Sequence, residues 1–198
     1  MTTETSPPPE SGAARRITDG LEPKNWILAV TLLVGWHAAG WAGVGWGVAG
    51  ALFSAVIPTL FIKYGMRKGY WGDRHVGDRS ARVLVLPVIL VSVLSGFGLM
   101  LAFGAPRAML ALIASMLLTL AVLAAITMAW KISVHQAVSS GACAMLAVTY
   151  GPWALPCFAL VALVGWSRIE LRDHTPAQVV SGTLLGAVIA TGTFVLLR

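Results

Sequence analysis

The side chains that could perform chemistry are gathered in three short polar clusters of an otherwise apolar chain. Cations combined with imidazoles and hydroxyls suit an oxyanion, of which phosphate is the obvious case. Acidic residues are sparse beside them, so a carboxylate cage for a divalent metal is not expected. The members are Arg74, His75, Arg79 and Arg82 in the first cluster, Lys131, Ser133 and His135 in the second, and Ser167, Arg168 and His174 in the third.

The segments between the clusters are apolar enough to lie in a bilayer. Of 198 residues, 57% are hydrophobic and 11% charged, and the mean hydropathy is +0.79. No Asp, Glu, Lys or Arg occurs between Lys24 and Lys63 or over residues 83–106, and each window exceeds the roughly 20 apolar residues that a spanning helix needs. The composition excludes an ordinary soluble domain. It predicts an all-α integral membrane protein, a polytopic bundle of six to seven transmembrane helices.

Charges, Gly/Pro turns and tryptophans near segment ends divide the apolar part of the chain into seven candidate segments. AAGWAG, at residues 38–43, is the plausible turn between the first two, which are otherwise joined without a charge. Small residues such as Gly182 and Gly186 are expected to allow close approach of helices. The segments are 26–39, 41–62, 83–103, 107–130, 134–150, 153–166 and 177–197.

The distribution of Lys and Arg predicts the orientation in the membrane. Twelve of the fourteen fall in the N-terminal region, residues 63–82, Lys131 or residues 167–172, leaving Arg107 and Arg198 opposite. Because loops rich in Lys and Arg stay cytoplasmic, the polar end is expected to be cytoplasmic. Two crossings separate each cluster from the next, so all three meet at that end. Residues 1–25 are interpreted as a disordered cytosolic tail and residues 26–198 as the membrane domain.

The third cluster resembles a signature of a known family. Ser167-Arg168-x5-His174 has the spacing of Ser-Arg-x5-His-x3-Asp, the third signature of the type 2 phosphatidic acid phosphatase superfamily of lipid phosphatases and haloperoxidase-like enzymes. The second signature, Pro-Ser-Gly-His, is similar to Ile132-Ser133-Val134-His135. The first, Lys-x6-Arg-Pro, is matched only in spacing, by His75-x6-Arg82 and Arg67-x6-Arg74. Gln178 stands where the family has an Asp that orients the histidine.

The resemblance implies a metal-independent phosphatase that needs no cofactor and works through a phosphohistidine. By this likeness His174 would attack phosphorus and His135 would protonate the leaving oxygen. Gln178, expected on the same helical face as His174, would orient the imidazole as a neutral acceptor, but it cannot stabilise an imidazolium by charge. The phosphate oxygens would be bound by Arg168, Arg82, Arg79 and Ser133.

The expected partners are lipids. A pI of about 9.9 suits an anionic membrane surface and does not require nucleic acid. A cytoplasmic site, in the plasma membrane of a prokaryote, favours substrates of the inner leaflet such as a prenyl diphosphate, phosphatidate or phosphatidylglycerol phosphate. Two alternatives stay open. One is a catalytically weakened family member acting as a lipid-binding or scaffold protein. The other is a magnesium-dependent membrane prenyltransferase, suggested by Asp73 and Asp78 in one polar loop.

Overall fold

The computed structural model describes residues 11–70 and 79–198, the last range beginning with residues 79–84 as helical backbone only. Every regular element in this part of the chain is helical, which confirms the predicted all-α class. The elements are α1 (Gly12–Gly20), α2 (Pro23–Ala51), a π-helical turn (Leu52–Val56), α3 (Ile57–Arg67), α4 (Arg79–Ala102), α5 (Arg107–Ala129), α6 (Val134–Tyr150), a 3-10 segment (Gly151–Cys157), α7 (Phe158–Glu170) and α8 (Pro176–Leu197).

Five helical stretches of the described chain are long and apolar enough to cross a membrane. The sequence predicted six to seven spans because the apolar segments on the two sides of each break count separately. The breaks lie at Ala39–Gly40 and over Gly151–Cys157, each inside one of the five stretches. The chain therefore has the helices of a membrane protein. The stretches are Gly12–Arg67, Val85–Ala102, Arg107–Ala129, Val134–Glu170 and Pro176–Leu197.

The helix α2 contains a tight turn rather than running straight. At Gly40 the backbone has φ +54°, a left-handed conformation that glycine adopts without steric cost. The two arms approach so closely that a Cβ at Gly47 would lie 2.6 Å from the carbonyl oxygen of Thr31, and Gly35 and Gly43 have no room for a side chain against each other. The turn predicted at residues 38–43 is present.

The helices α6 and α8 pack most extensively against each other. A Cβ at Gly182 would lie 2.6 Å from the carbonyl oxygen of Ser133, and a Cβ at Gly186 would collide with the carbonyl of Ala137. Small residues let helix backbones come together in a membrane, where van der Waals packing drives association. The predicted close approach at Gly182 and Gly186 is confirmed. It places the starts of α6 and α8 side by side.

The two cations expected at the other end of the bundle lie there and bind helix carbonyls. Arg107, which begins α5, donates from Nε to the carbonyl of Leu197 at 2.9 Å. Arg198 donates from Nη1 to the carbonyl of Val148 at 3.1 Å. The last carbonyls of a helix have no partner within the helix and carry partial negative charge, so arginine is favourable beside them.

The prediction of a disordered tail over residues 1–25 is wrong for the segment that forms α1. Ser11 caps this helix, its Oγ accepting from the backbone nitrogen of Ala14 at 3.4 Å. Ala14 and Thr18, spaced one helical turn apart, are fully buried where α1 packs on α7. A small buried face is enough to hold a short helix against a neighbour. Residues 1–10 lie outside the described part of the chain.

Candidate functional site

The second and third polar clusters meet where α6 and α8 begin and α7 ends. The backbone N–H of Ser133 donates to the carbonyl of Gln178 at 3.4 Å. Because the two helices start side by side, the residues that precede their starts also come together. Lys131, ahead of α6, and His174, ahead of α8, line one pocket.

The first cluster lies largely outside the described residues. Arg74 and His75 belong to the range 71–78, which is not described. Arg79 and Arg82 fall at the start of α4, but their side chains are outside the described part. Their binding of phosphate stays a prediction.

His174 lies just ahead of α8 and not on it. The helix begins at Pro176, and its N-cap is Thr175. Threonine is a favoured cap, and proline suits the first helical position because its missing N–H has no partner there. The expectation that His174 and Gln178 share a helical face is therefore wrong. The two side chains meet because Gln178, the third helical residue, reaches back toward the cap.

Gln178 forms a capping box that includes the histidine. Its backbone N–H donates to Oγ1 of Thr175 at 3.4 Å, and its side-chain Oε1 accepts from the backbone nitrogen of Thr175 at 3.1 Å. The same Oε1 lies 3.2 Å from Nδ1 of His174. Since this oxygen can only accept, Nδ1 must carry the proton that it donates. In the neutral imidazole, Nε2 is then the nitrogen with the lone pair.

The environment of His174 keeps the imidazole neutral. Burial, which disfavours the charged form, lowers the pKa of His174 from 6.5 to about 4, with help from the positive charges of Arg168 and Lys131. The hydrogen bond to Gln178 and the carboxylate of Asp173 act in the opposite direction. A neutral imidazole with a fixed tautomer can serve as a nucleophile or a base near pH 7.

An open pocket of about 400 Å³ lies beside the imidazole. Lys131 and Arg172 are exposed cations in its wall, and Asp173 adds a carboxylate. Cations beside a neutral histidine suit an anionic group such as a phosphate. Sequence reasoning did not single out Arg172, although its place two residues before His174 was an available signal. The remaining wall residues are Ile169, Thr175 and Gln178.

Arg168 lies behind the pocket and is only 4% exposed. Its Nη2 is 3.0 Å from Oδ2 of Asp173. Its carbonyl accepts from the backbone nitrogens of Asp173 and His174, at 3.1 and 3.2 Å. The chain folds back in this way through Arg172, which has φ +54°. Arg168 is not in the pocket wall, so its contact with a phosphate stays a prediction.

Ser133 and His135 belong to the first turn of α6. Ser133 is its N-cap, and the serine Oγ accepts from the backbone nitrogen of Gln136 at 3.4 Å. His135 is buried at the same end of the bundle as His174. Neither residue is in the wall of the pocket that holds His174. The structure thus brings both imidazoles to one end without placing them in one pocket.

Ser167 turns away from the pocket and toward α1. Its hydroxyl accepts from Oγ1 of Thr18 at 3.0 Å and donates to the carbonyl of Val164 at 2.8 Å. The side chains of Ser167 and Arg168 therefore point in different directions. The serine hydrogen-bonds α1, and the arginine pairs with Asp173. Sequence reasoning missed α1. Its signals were the Ser11 cap and the helical spacing of Ala14 and Thr18.

Among residues 11–70 and 79–198, no group of three or more His, Cys, Asp or Glu side chains could hold a metal ion. Comparison with known proteins gives no match to a family model, to a curated protein or to a solved structure. The function is therefore inferred from the site and from the resemblance of its short motifs.

Proposed function

We propose that this chain is a membrane-embedded hydrolase that removes phosphate from a lipid phosphate or diphosphate without a metal ion. Its resemblance to the type 2 phosphatidic acid phosphatase superfamily implies this activity. The observation that carries the proposal is the state of His174, a neutral imidazole whose Nδ1 hydrogen-bonds Gln178. Its Nε2 has the lone pair that attack on phosphorus needs. Lys131 and Arg172 supply positive charge in the same pocket.

The proposed reaction has two steps. Nε2 of His174 bonds to phosphorus as the P–O bond to the lipid breaks, and the leaving oxygen takes a proton from the imidazolium of His135. Water then loses a proton to His135 and attacks the phosphohistidine, which releases inorganic phosphate and restores His174. Lys131 and Arg172 offset the charge that develops on the phosphoryl oxygens. This scheme requires His135 to face the leaving oxygen when the substrate is bound.

We assign the pocket to the cytoplasmic end of six or seven spans. The excess of Lys and Arg at that end supports the orientation. The turn at Gly40 supports two spans within the first apolar stretch, and the 3-10 segment Gly151–Cys157 supports two in the fourth. In a prokaryotic plasma membrane this site takes inner-leaflet lipids such as a prenyl diphosphate, phosphatidate or phosphatidylglycerol phosphate. The lipid tail stays among the helices and surrounding membrane lipids.

A lipid-binding or scaffold protein with weakened catalysis is the second candidate. The ion pair between Arg168 and Asp173 favours it, because the guanidinium that should hold substrate is already neutralised from within the chain. Gln178 favours it as well, since a neutral amide cannot stabilise an imidazolium by charge. In this case the pocket binds a lipid phosphate without hydrolysing it.

The deciding measurement is phosphate release by the purified full-length chain in detergent with EDTA, from prenyl diphosphate and phosphatidate in parallel. The variants are His174→Ala and, as a matched loss of an imidazole, His37→Ala. His37 is exposed and packs edge-on to Tyr150, with ring centroids 5.1 Å apart, away from the pocket.

Release that withstands EDTA and is lost only in His174→Ala supports the phosphatase. Lipid phosphate that binds to the folded wild type without being hydrolysed supports the second candidate. A reaction that occurs only with added Mg²⁺ supports a prenyltransferase-like site at Asp73 and Asp78, both outside the described residues.

A further inference from the structure

The helix α1 lies outside the signature motifs, yet it covers the turn of α7 that carries Ser167 and Arg168. Within the described residues, α7 is its main packing partner. Thr18 and Ser167 face each other with 0% exposure. The helix α1 is therefore part of the structure around the pocket.

One buried hydrogen bond joins α1 to α7, and a second continues from it within α7. Thr18 Oγ1 donates to Ser167 Oγ at 3.0 Å, and Ser167 Oγ donates onward to the carbonyl of Val164 at 2.8 Å. Both serine bonds are buried, and a buried hydroxyl that loses its partner is costly. The Thr18–Ser167 bond ties the last turn of α7 to α1.

The position of this turn decides where the nucleophile lies. The backbone of His174 is held by the Arg168 carbonyl on α7, and its imidazole is held by Gln178 on α8. A shift of the α7 end changes the distance between Nδ1 of His174 and Oε1 of Gln178. Small displacements of a reacting group are costly in rate.

We propose that Thr18 is a positioning residue for this site. Through Ser167 it holds the α7 turn that anchors Asp173 and His174, and so α1 sets the geometry of the imidazole. The catalytic consequence rests on the proposed phosphatase function. The structural consequence does not, because it concerns the loop alone.

Two variants test this role. Thr18→Val removes the hydroxyl donor at nearly constant shape, and Thr18→Ser keeps it. Thr31→Val is the matched control, because Thr31 is equally buried and its hydroxyl donates to carbonyls of its own helix, those of Ile27 at 2.9 Å and Leu28 at 3.1 Å. In Thr18→Val we expect kcat/KM for lipid phosphate hydrolysis and the affinity for orthovanadate each to fall about tenfold. Thr18→Ser and Thr31→Val should stay close to wild type.

Amide hydrogen exchange at Asp173 and His174 gives a readout that does not depend on activity. Their N–H groups bond to the Arg168 carbonyl, so we expect exchange in Thr18→Val to be about tenfold faster than in wild type or Thr31→Val. If Thr18→Val does not fold, Ser167→Ala removes the acceptor and should give the same acceleration.

Unchanged exchange in Thr18→Val overturns the positioning role, as does an equal change in Thr31→Val. A wild-type protein that releases no phosphate disproves the proposed function, while exchange still decides the role of Thr18.

Discussion

The side-chain oxygen of Gln178 lies 3.2 Å from Nδ1 of His174 and 3.1 Å from the backbone nitrogen of Thr175. One acceptor therefore caps α8 and fixes the tautomer of the histidine. Turning the amide around would place its NH₂ against the Thr175 N–H and lose the cap. The orientation of the imidazole is thus tied to the start of the helix.

Replacing Gln178 with Glu should raise activity without weakening the helix start. Glutamate also completes a capping box with threonine, so the free energy of unfolding should change little. The added charge would stabilise the imidazolium that forms on attack. Since removal of such a charge from a serine protease triad costs about 10⁴-fold, we expect kcat/KM for phosphate release to rise by at least about tenfold. Steady-state kinetics measure it.

Gln178→Leu is the companion variant. Leucine is similar in size to glutamine, but it has no oxygen to accept from His174 or from the backbone nitrogen of Thr175. Loss of partners that orient a functional histidine lowers activity by about 10–100-fold in metal sites, and we expect a fall of that order here. If Glu and Leu at this position give equal rates, the contact between Gln178 and His174 has no catalytic role.

The pH dependence of activity should reflect the lowered pKa of His174. Burial and the neighbouring cations bring this pKa to about 4, so the imidazole stays neutral and nucleophilic well below pH 6.5. We expect the acid limb of kcat/KM assigned to His174 to fall near pH 4. In Gln178→Glu the new carboxylate raises the pKa, and this limb should move upward. A limb at pH 6.5 in both proteins would contradict the burial of His174.

The same pKa has a consequence for stability. Because the folded pKa lies below the unfolded value, the unfolded chain binds more protons between pH 6.5 and 4. The contribution of His174 should therefore lower the free energy of unfolding as pH falls through this window. Above pH 6.5, where His174 is neutral in both states, this pH dependence should be absent. Denaturation of wild type and His174→Ala across the window measures the difference.

Local rules explain how much of the fold and site could be predicted from the sequence. The helical segments followed from long uncharged runs, the first turn from AAGWAG, and the approach of α6 and α8 from Gly182 and Gly186. The pairing of Arg168 with Asp173 could not be predicted, because it depends on the positive φ of Arg172, a non-glycine residue. The contact of Thr18 with Ser167 joins residues 149 positions apart. Local sequence patterns do not predict a contact between residues so far apart in the chain.

Asp173→Asn should strengthen the binding of oxyanions. The carboxylate lies 3.0 Å from Nη2 of Arg168, the side chain that the family resemblance assigns to phosphate binding. Removing its charge frees one charge-assisted hydrogen bond, worth about 1.5–3 kcal/mol, so orthovanadate should bind at least about tenfold more tightly. Calorimetric titration of the purified protein with orthovanadate measures this change.

Glu170→Gln is the control for Asp173→Asn, since it makes the same change in net charge at an exposed residue outside the pocket wall. Its vanadate affinity should match that of wild type. The side chain of Asp173 is 40% exposed but that of Arg168 only 5%, so loss of the ion pair should lower the free energy of unfolding by more than about 1 kcal/mol, the value for a fully exposed pair. Weaker vanadate binding in Asp173→Asn would show that the carboxylate supports the oxyanion site instead of blocking it.

Gly186→Ala should destabilise the bundle and disturb the site together. A Cβ there would collide with the carbonyl of Ala137, so α6 and α8 must separate. Overpacking of this kind costs about 1–3 kcal/mol. Because the same helix pair aligns Ser133 with Gln178, phosphate release should also fall. Gly192→Ala is the matched control, as no described residue beyond its own helical turn lies within 4 Å of the added Cβ. In a helix this substitution should be neutral or stabilising by up to about 1 kcal/mol. Thermal unfolding in detergent compares the two, and equal midpoints would mean that α6 and α8 do not pack at Gly186.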